Sequence, residues 1–178
     1  MVPWLVFLLL FKIHSMEFRP MRRVRQQLAN EACEDILRNA TSGTLAVLGD
    51  NDYPYAVPLS FVYVDGIIYF HSAKSGHKID AIRHHGKASF CVIEKDEIHG
   101  EEFTTYFRSV IAFGRITIVS SPDEKLEGAK LLGRKYNPGD ESGLAREIEK
   151  GIAQMELLRF GIEHLTGKEA IELIGKKR

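Results

Sequence analysis

The 178 residues suit one globular domain, with 44% hydrophobic and 27% charged side chains. Lys plus Arg and Asp plus Glu each number 24, so the net charge is zero, which argues against a general nucleic-acid surface. Cys33 and Cys91 are the only cysteines; they make no disulfide framework, neither has a second ligand at metal spacing, and a reducing, cytoplasmic setting is expected.

The chain begins with "MVPWLVFLLLF", an apolar block of 11 residues. It is too short for a bilayer span of about 20 residues and lacks the basic lead-in and cleavage site of a signal peptide. Either translation starts at Met16 or Met21, the favoured reading, or the block packs on the body or on a neighbouring subunit. Residues 1–15 are therefore set apart as a leader, with 16–178 as one domain. Next comes "RPMRRVR", whose Arg19, Arg22, Arg23 and Arg25 read as a solvated lead-in. Residues 30–40 predict a short helix, capped by Asn30, with Ala32, Ile36 and Leu37 as its apolar stripe.

The rhythm then becomes that of strands. Runs at 43–49, 53–64 and 67–72 are rich in aromatic and β-branched residues, and Asp65-Gly66 between the last two signals a hairpin. Pro58, unable to donate to a ladder, marks an edge, a bulge or a bend. A helix is expected over 76–85, ended by Gly86, then a strand over 87–95 carrying Cys91 as a small core residue, then a loop at "IHGEE". The stretch 103–120 reads as one long strand bent at Gly114, and Pro122 opens a helix over 122–136. A second helix over 143–154 and a strand over 155–167 complete the pattern. About six strands joined mainly as meanders predict an antiparallel barrel with helical additions. There is no βαβα alternation and no GxGxxG turn, so a dinucleotide fold is not expected.

One stretch asks for chemistry. "FHSAKSGHKID" (70–80) runs from a strand through a polar loop into a helix start. Unpaired backbone N–H groups at such a start, with the helix dipole, suit an anion. Gly76 would allow close approach, Ser72 or Ser75 a hydroxyl, and Lys78 the formal charge. The competing reading is a helix capped by Ser75 with His77 and Lys78 simply solvated, and the residues alone leave both open. His84 and His85 face different ways and His99 and His164 stand apart, so no metal site is expected. His71, at the end of an apolar strand, is either a satisfied core histidine or a group touching a ligand.

The segment "YPYAVPLSFVYVDGIIYFHSAKSGHKIDAIRHHGKASFCV", with "YFRSVIAFGRI" further on, closely resembles the pyridoxamine-phosphate-oxidase-like flavoproteins, and most of all their nitroimidazole-resistance (Nim-type) branch. The resemblance covers the chain between Met21 and Gly167, and "FHSAKSGHKID" is its specific part. It implies a mainly β fold, a six-stranded antiparallel FMN-binding split β-barrel, working as a homodimer with the flavin at the interface. On this sequence it implies that Pro58, Leu59 and Ser60 line the isoalloxazine ring. His71, Ser72 and Ala73 would run along the ring and ribityl chain, and Gly76, His77 and Lys78 would reach the phosphate. Arg108 and Ser109 would face the flavin from the other subunit. The polar cluster then reads as a flavin phosphate cradle.

The implied activity is reduction of the nitro group of a small-molecule acceptor, with FMN (FAD as the alternative) passing electrons. His71 is the candidate catalytic residue, since a histidine titrates near neutral pH and can supply a proton or hydrogen bond. Pyridoxamine phosphate oxidases proper carry tryptophan and arginine near the C-terminus. Here the only tryptophan is Trp4 and the end reads "LTGKEAIELIGKKR", so vitamin B6 oxidation is not expected. The alternatives are a flavin-binding module without catalysis, or a haem-handling relative with His71 or His164 as axial ligand. The apolar face of the long strand at 103–120 is larger than one small barrel needs, an independent hint of a dimer.

Overall fold

The computed structural model describes residues 18–175, so the apolar leader lies outside the described residues. Seven antiparallel strands and four α-helices form the body: α1 (Asn30–Asn39), β1 (Ser42–Leu48), β2 (Pro54–Ser60), β3 (Val62–Val64), β4 (Ile67–Ala73), α2 (His77–His84), β5 (Lys87–His99), β6 (Thr104–Ile118), α3 (Pro122–Tyr136), α4 (Glu141–Gly151) and β7 (Met155–Glu169). Among the described residues no helix is long and apolar enough to cross a membrane.

The strand count corrects the expected six to seven, in the order β2-β1-β5-β6-β7-β4-β3, and the ladder does not close. The run at 53–64 supplies the extra strand by splitting at Phe61. The Tyr136 hydroxyl of α3 accepts from the Phe61 N–H at 2.8 Å and lies 2.8 Å from the Phe61 carbonyl, occupying both backbone groups. β2 and β3 sit at opposite edges of the sheet yet are separated in sequence by this one residue. The sheet must therefore curl until its two edges meet at Phe61, giving a barrel split along a seam. Pro58 lies opposite Thr44 on edge strand β2, the edge reading of the three that its missing donor allowed.

Inside the curl, Phe90 meets Phe61 and Phe70 edge-on at centroid distances of 4.9 and 5.1 Å. These rings are fully buried with Phe160, Leu45 and Ile68, and burial of each such side chain stabilises by about 1.5–3 kcal/mol. α1 adds Cys33, Ile36 and Leu37, and α2 adds Ile79 and Ile82. At Gly114 the β6–β7 register shifts, pairing Phe113 with His164 but Gly114 with Ile162. A side chain there would stand 2.0 Å from the Gly161 carbonyl oxygen, so the expected bend is a bulge that needs a bare backbone.

Several boundaries differ from the sequence reading. Ala29, not Asn30, occupies the cap position of α1 and makes no side-chain cap bond. Likewise Gly76, not Ser75, caps α2. Ile98 and His99 belong to β5, whose pairing with β6 continues to His99 opposite Thr104. α4 begins earlier than expected because Asp140 caps it, accepting from the Gly143 N–H at 2.8 Å. Cys33 is the buried cysteine, whereas Cys91 is half-buried and so not the small core residue expected.

Candidate functional site

β4 delivers the expected site residues to two faces. Its alternation buries Ile68, Phe70 and Ser72 and leaves His71 and Ala73 exposed. His71 is thus an outward group rather than the core histidine of one reading, and its side chain cannot share a face with that of Ser72. The same parity sorts the others. Pro58 and Ser60 are exposed on β2 while Leu59 packs against the core. On β6, Arg108 is buried, 7% exposed, and Ser109 is half-buried on the opposite face.

Arg108 is engaged within its own subunit. Its guanidinium donates to Glu169 at 3.1 Å through Nε and to Glu94 at 3.2 Å, between β5 and β7. Two carboxylates on one fork satisfy a buried cation well. His77 is also engaged: its Nε2 accepts from the Asp50 N–H at 3.3 Å, and its ring lies 4.2 Å from that of Tyr55. This fastens the start of α2 to the β1–β2 connection.

Lys78 differs from both. It is half-buried, burial holds its ammonium below the usual lysine range, and among the described residues no carboxylate pairs with it. Beside it, Gly76 adopts φ +121°, and a side chain built there would meet nothing within 4 Å, so the approach to the helix start is open. No side chain caps the first turn of α2. Ser72, a few residues upstream, has a buried hydroxyl without a hydrogen-bond partner among the described residues. Leaving such a group unpaired costs about 1–3 kcal/mol. An unpaired cation beside a bare helix start fits a phosphate-bearing group.

At the seam, Ser60 and His71 line a cavity of about 520 Å³ from the β2 and β4 side. Its other walls come from α3 and α4, including Leu132, Tyr136, Leu144 and Ile148, and from Met155 at the start of β7. Sequence reasoning assigned no role to these wall residues. The available signal was Leu144, Ile148 and Ile152 at intervals of four, an apolar stripe along and just past a helix none of whose residues is buried.

An antiparallel sheet curled into a split barrel defines the class. The pyridoxamine 5'-phosphate oxidase family model matches residues 29–169, and the chain belongs to that family. No curated protein matches the chain. Among solved structures it is similar to a candidate 5-nitroimidazole antibiotic resistance protein from Bacteroides thetaiotaomicron. That pair shares 18% identity and a TM-score of 0.69, covering 80% of this chain and 86% of that one. A FAD-binding protein from Mesorhizobium loti aligns at 25% identity and a TM-score of 0.61, over 82% and 97% of the two chains. A FAD- and haem-binding protein from Mycobacterium smegmatis aligns at 22% and 0.71, over 83% and 74%.

Proposed function

We propose that this protein is an FMN-dependent oxidoreductase that reduces nitro groups of small-molecule acceptors, working in the cytoplasm as a homodimer with the flavin at the interface. The observation that carries the reading is Lys78, a half-buried cation with no carboxylate partner beside an uncapped helix start. Its Nζ and the first N–H groups of α2 would hold the phosphate. Pro58, Leu59 and Ser60 would line the ring, Leu59 through its backbone. His71 and Ala73 would flank the ring and ribityl chain with their side chains, and Ser72, whose side chain faces inward, would meet the cofactor through its backbone. Membership of the family and the FAD-binding relative support a flavin as the cofactor, here taken as FMN with FAD as the alternative.

The bound flavin supplies the two-electron chemistry, and the chain supplies position and proton. Exposed along the cavity's lining, His71 would donate a proton to the nitro oxygen as it leaves as water. A second copy suits the outer sheet face, where Leu48, Ile93 and Ile111 are exposed. Ser109 of the other subunit, on the same face as Ile111, would approach the flavin there, whereas Arg108 would have to turn from its buried place between Glu94 and Glu169 to join it.

The test is to reduce FMN-loaded protein anaerobically and mix it with 2-methyl-5-nitroimidazole. Reoxidation with loss of the nitro absorbance is expected. Stable reduced flavin would leave a flavin-binding module without this catalysis. One observation favours a second reading: His71, whose imidazole could serve as an axial ligand, borders a cavity of about 520 Å³ walled mainly by apolar side chains. A Soret band in the purified protein would support that reading instead.

A further inference from the structure

The cavity under α4 has features that the cofactor reading leaves unused. α4 is held at its start, where Leu144 fits against the bare backbone of Gly133 and Arg134 grips Glu141 with two bonds of 2.8 and 2.9 Å. Beyond that point Ile148 and, just past the end of α4, Ile152 continue the apolar stripe of Leu144 along about 520 Å³ of space instead of a packed core. An amphipathic helix ordinarily buries such a stripe. Here it borders a hollow that Ser60 of β2 and His71 of β4 also line.

The lining also sets the chemistry of an occupant. Tyr136 contributes ring surface, because its hydroxyl is committed to the backbone at Phe61. The only charged lining group is Glu147, exposed on α4 with Lys150 at 3.6 Å. No lysine or arginine lines the space, so while the His71 imidazole is neutral an anion entering it would lose its hydration without a cationic partner. The volume lies within the usual range of small-molecule sites, about 300–1,000 Å³.

We infer that this cavity is the acceptor pocket, taking uncharged, largely apolar ring compounds whose single polar end meets Ser60 and His71. The inference rests on the proposed function, since it places the acceptor beside the flavin rather than in the flavin's own seat. α4 acts as the specificity element: Leu144 and Ile148 set which ring fits, and neither touches the cofactor.

The test uses FMN-loaded and FMN-stripped protein with a matched pair of probes, neutral 4-nitrobenzyl alcohol and anionic 4-nitrobenzoate, measured by calorimetry. The alcohol should bind at least tenfold more tightly than the benzoate to both forms. Ile148→Trp should fill the cavity and weaken alcohol binding at least tenfold while retaining FMN and the wild-type unfolding midpoint. Gly151→Leu, at a lining position where a side chain meets nothing within 4 Å, should do the same from the other end of α4. Loss of FMN in both filled variants would make the cavity the cofactor's seat and overturn the inference. Unchanged alcohol binding, or equal binding of the benzoate, would overturn it as well. Failure of the flavin reading is seen separately, as wild-type protein that retains no FMN.

Discussion

Replacing Lys78 with alanine removes one charge from the proposed cradle and little else, because among the described residues no carboxylate depends on it. A lysine about 4 Å from a phosphate charge near a protein surface, at an effective dielectric of about 20, gains about 4 kcal/mol per unit charge before desolvation. Desolvation of the half-buried ammonium offsets part of this, which leaves about 1.5–3 kcal/mol, the usual worth of a charge-assisted bond. Lys78→Ala should therefore weaken FMN binding about 10- to 150-fold. Riboflavin has the same ring and no phosphate, so its affinity should stay within about threefold; titration of flavin fluorescence measures both. Burial depresses the Lys78 pKa in the free chain, and a phosphate would raise it, so the complex binds more protons. FMN affinity should then fall as pH rises through the free-chain value, and the variant should lose that dependence. Unchanged FMN affinity, or an equal loss for riboflavin, would refute the cradle.

His71→Ala should keep FMN affinity within about threefold and slow nitro reduction about 100-fold or more, the usual worth of a positioned acid; stopped-flow reoxidation reads the rate. Gly114→Ala drives a methyl against the Gly161 carbonyl and should destabilise by about 1–3 kcal/mol or more, read from urea unfolding. Lys135 gives a pH signature. It donates to the Ala40 carbonyl at 2.6 Å over the Phe61 ring, and burial lowers its pKa from 10.5 to about 8. Between those values the unfolded chain binds more protons, so the lysine's contribution to stability should rise from pH 8 to 10.5. Lys135→Met should remove that rise, seen as the difference between the two pH–stability profiles.

The strand pattern was legible because alternation and the Asp65-Gly66 turn are local signals, and Gly114 and Pro122 carried their usual meanings. The break at Phe61 was not legible, because its cause is a hydroxyl 75 residues away. The reach of β5 to His99 was hidden for a related reason. Its end is an arm beyond the core, with Ile98 84% and Phe103 98% exposed, and its polar residues read as loop. At the site, "FHSAKSGHKID" pointed to a strand-to-helix junction, which the fold contains, but not to which side chains share a face there. The opposite facing of His71 and Ser72, and the private partners of His77 and Arg108, come only from the fold. The cavity joins α3, α4 and β7 to β2 and β4, a meeting that no local pattern encodes.

The most direct test of the central claim is the absorption spectrum of the purified protein before and after adding excess FMN and desalting. Flavin bands at the positions of the free cofactor should survive desalting, at close to one flavin per chain. A protein that stays colourless, or that carries a Soret band and takes up no FMN, would contradict the account.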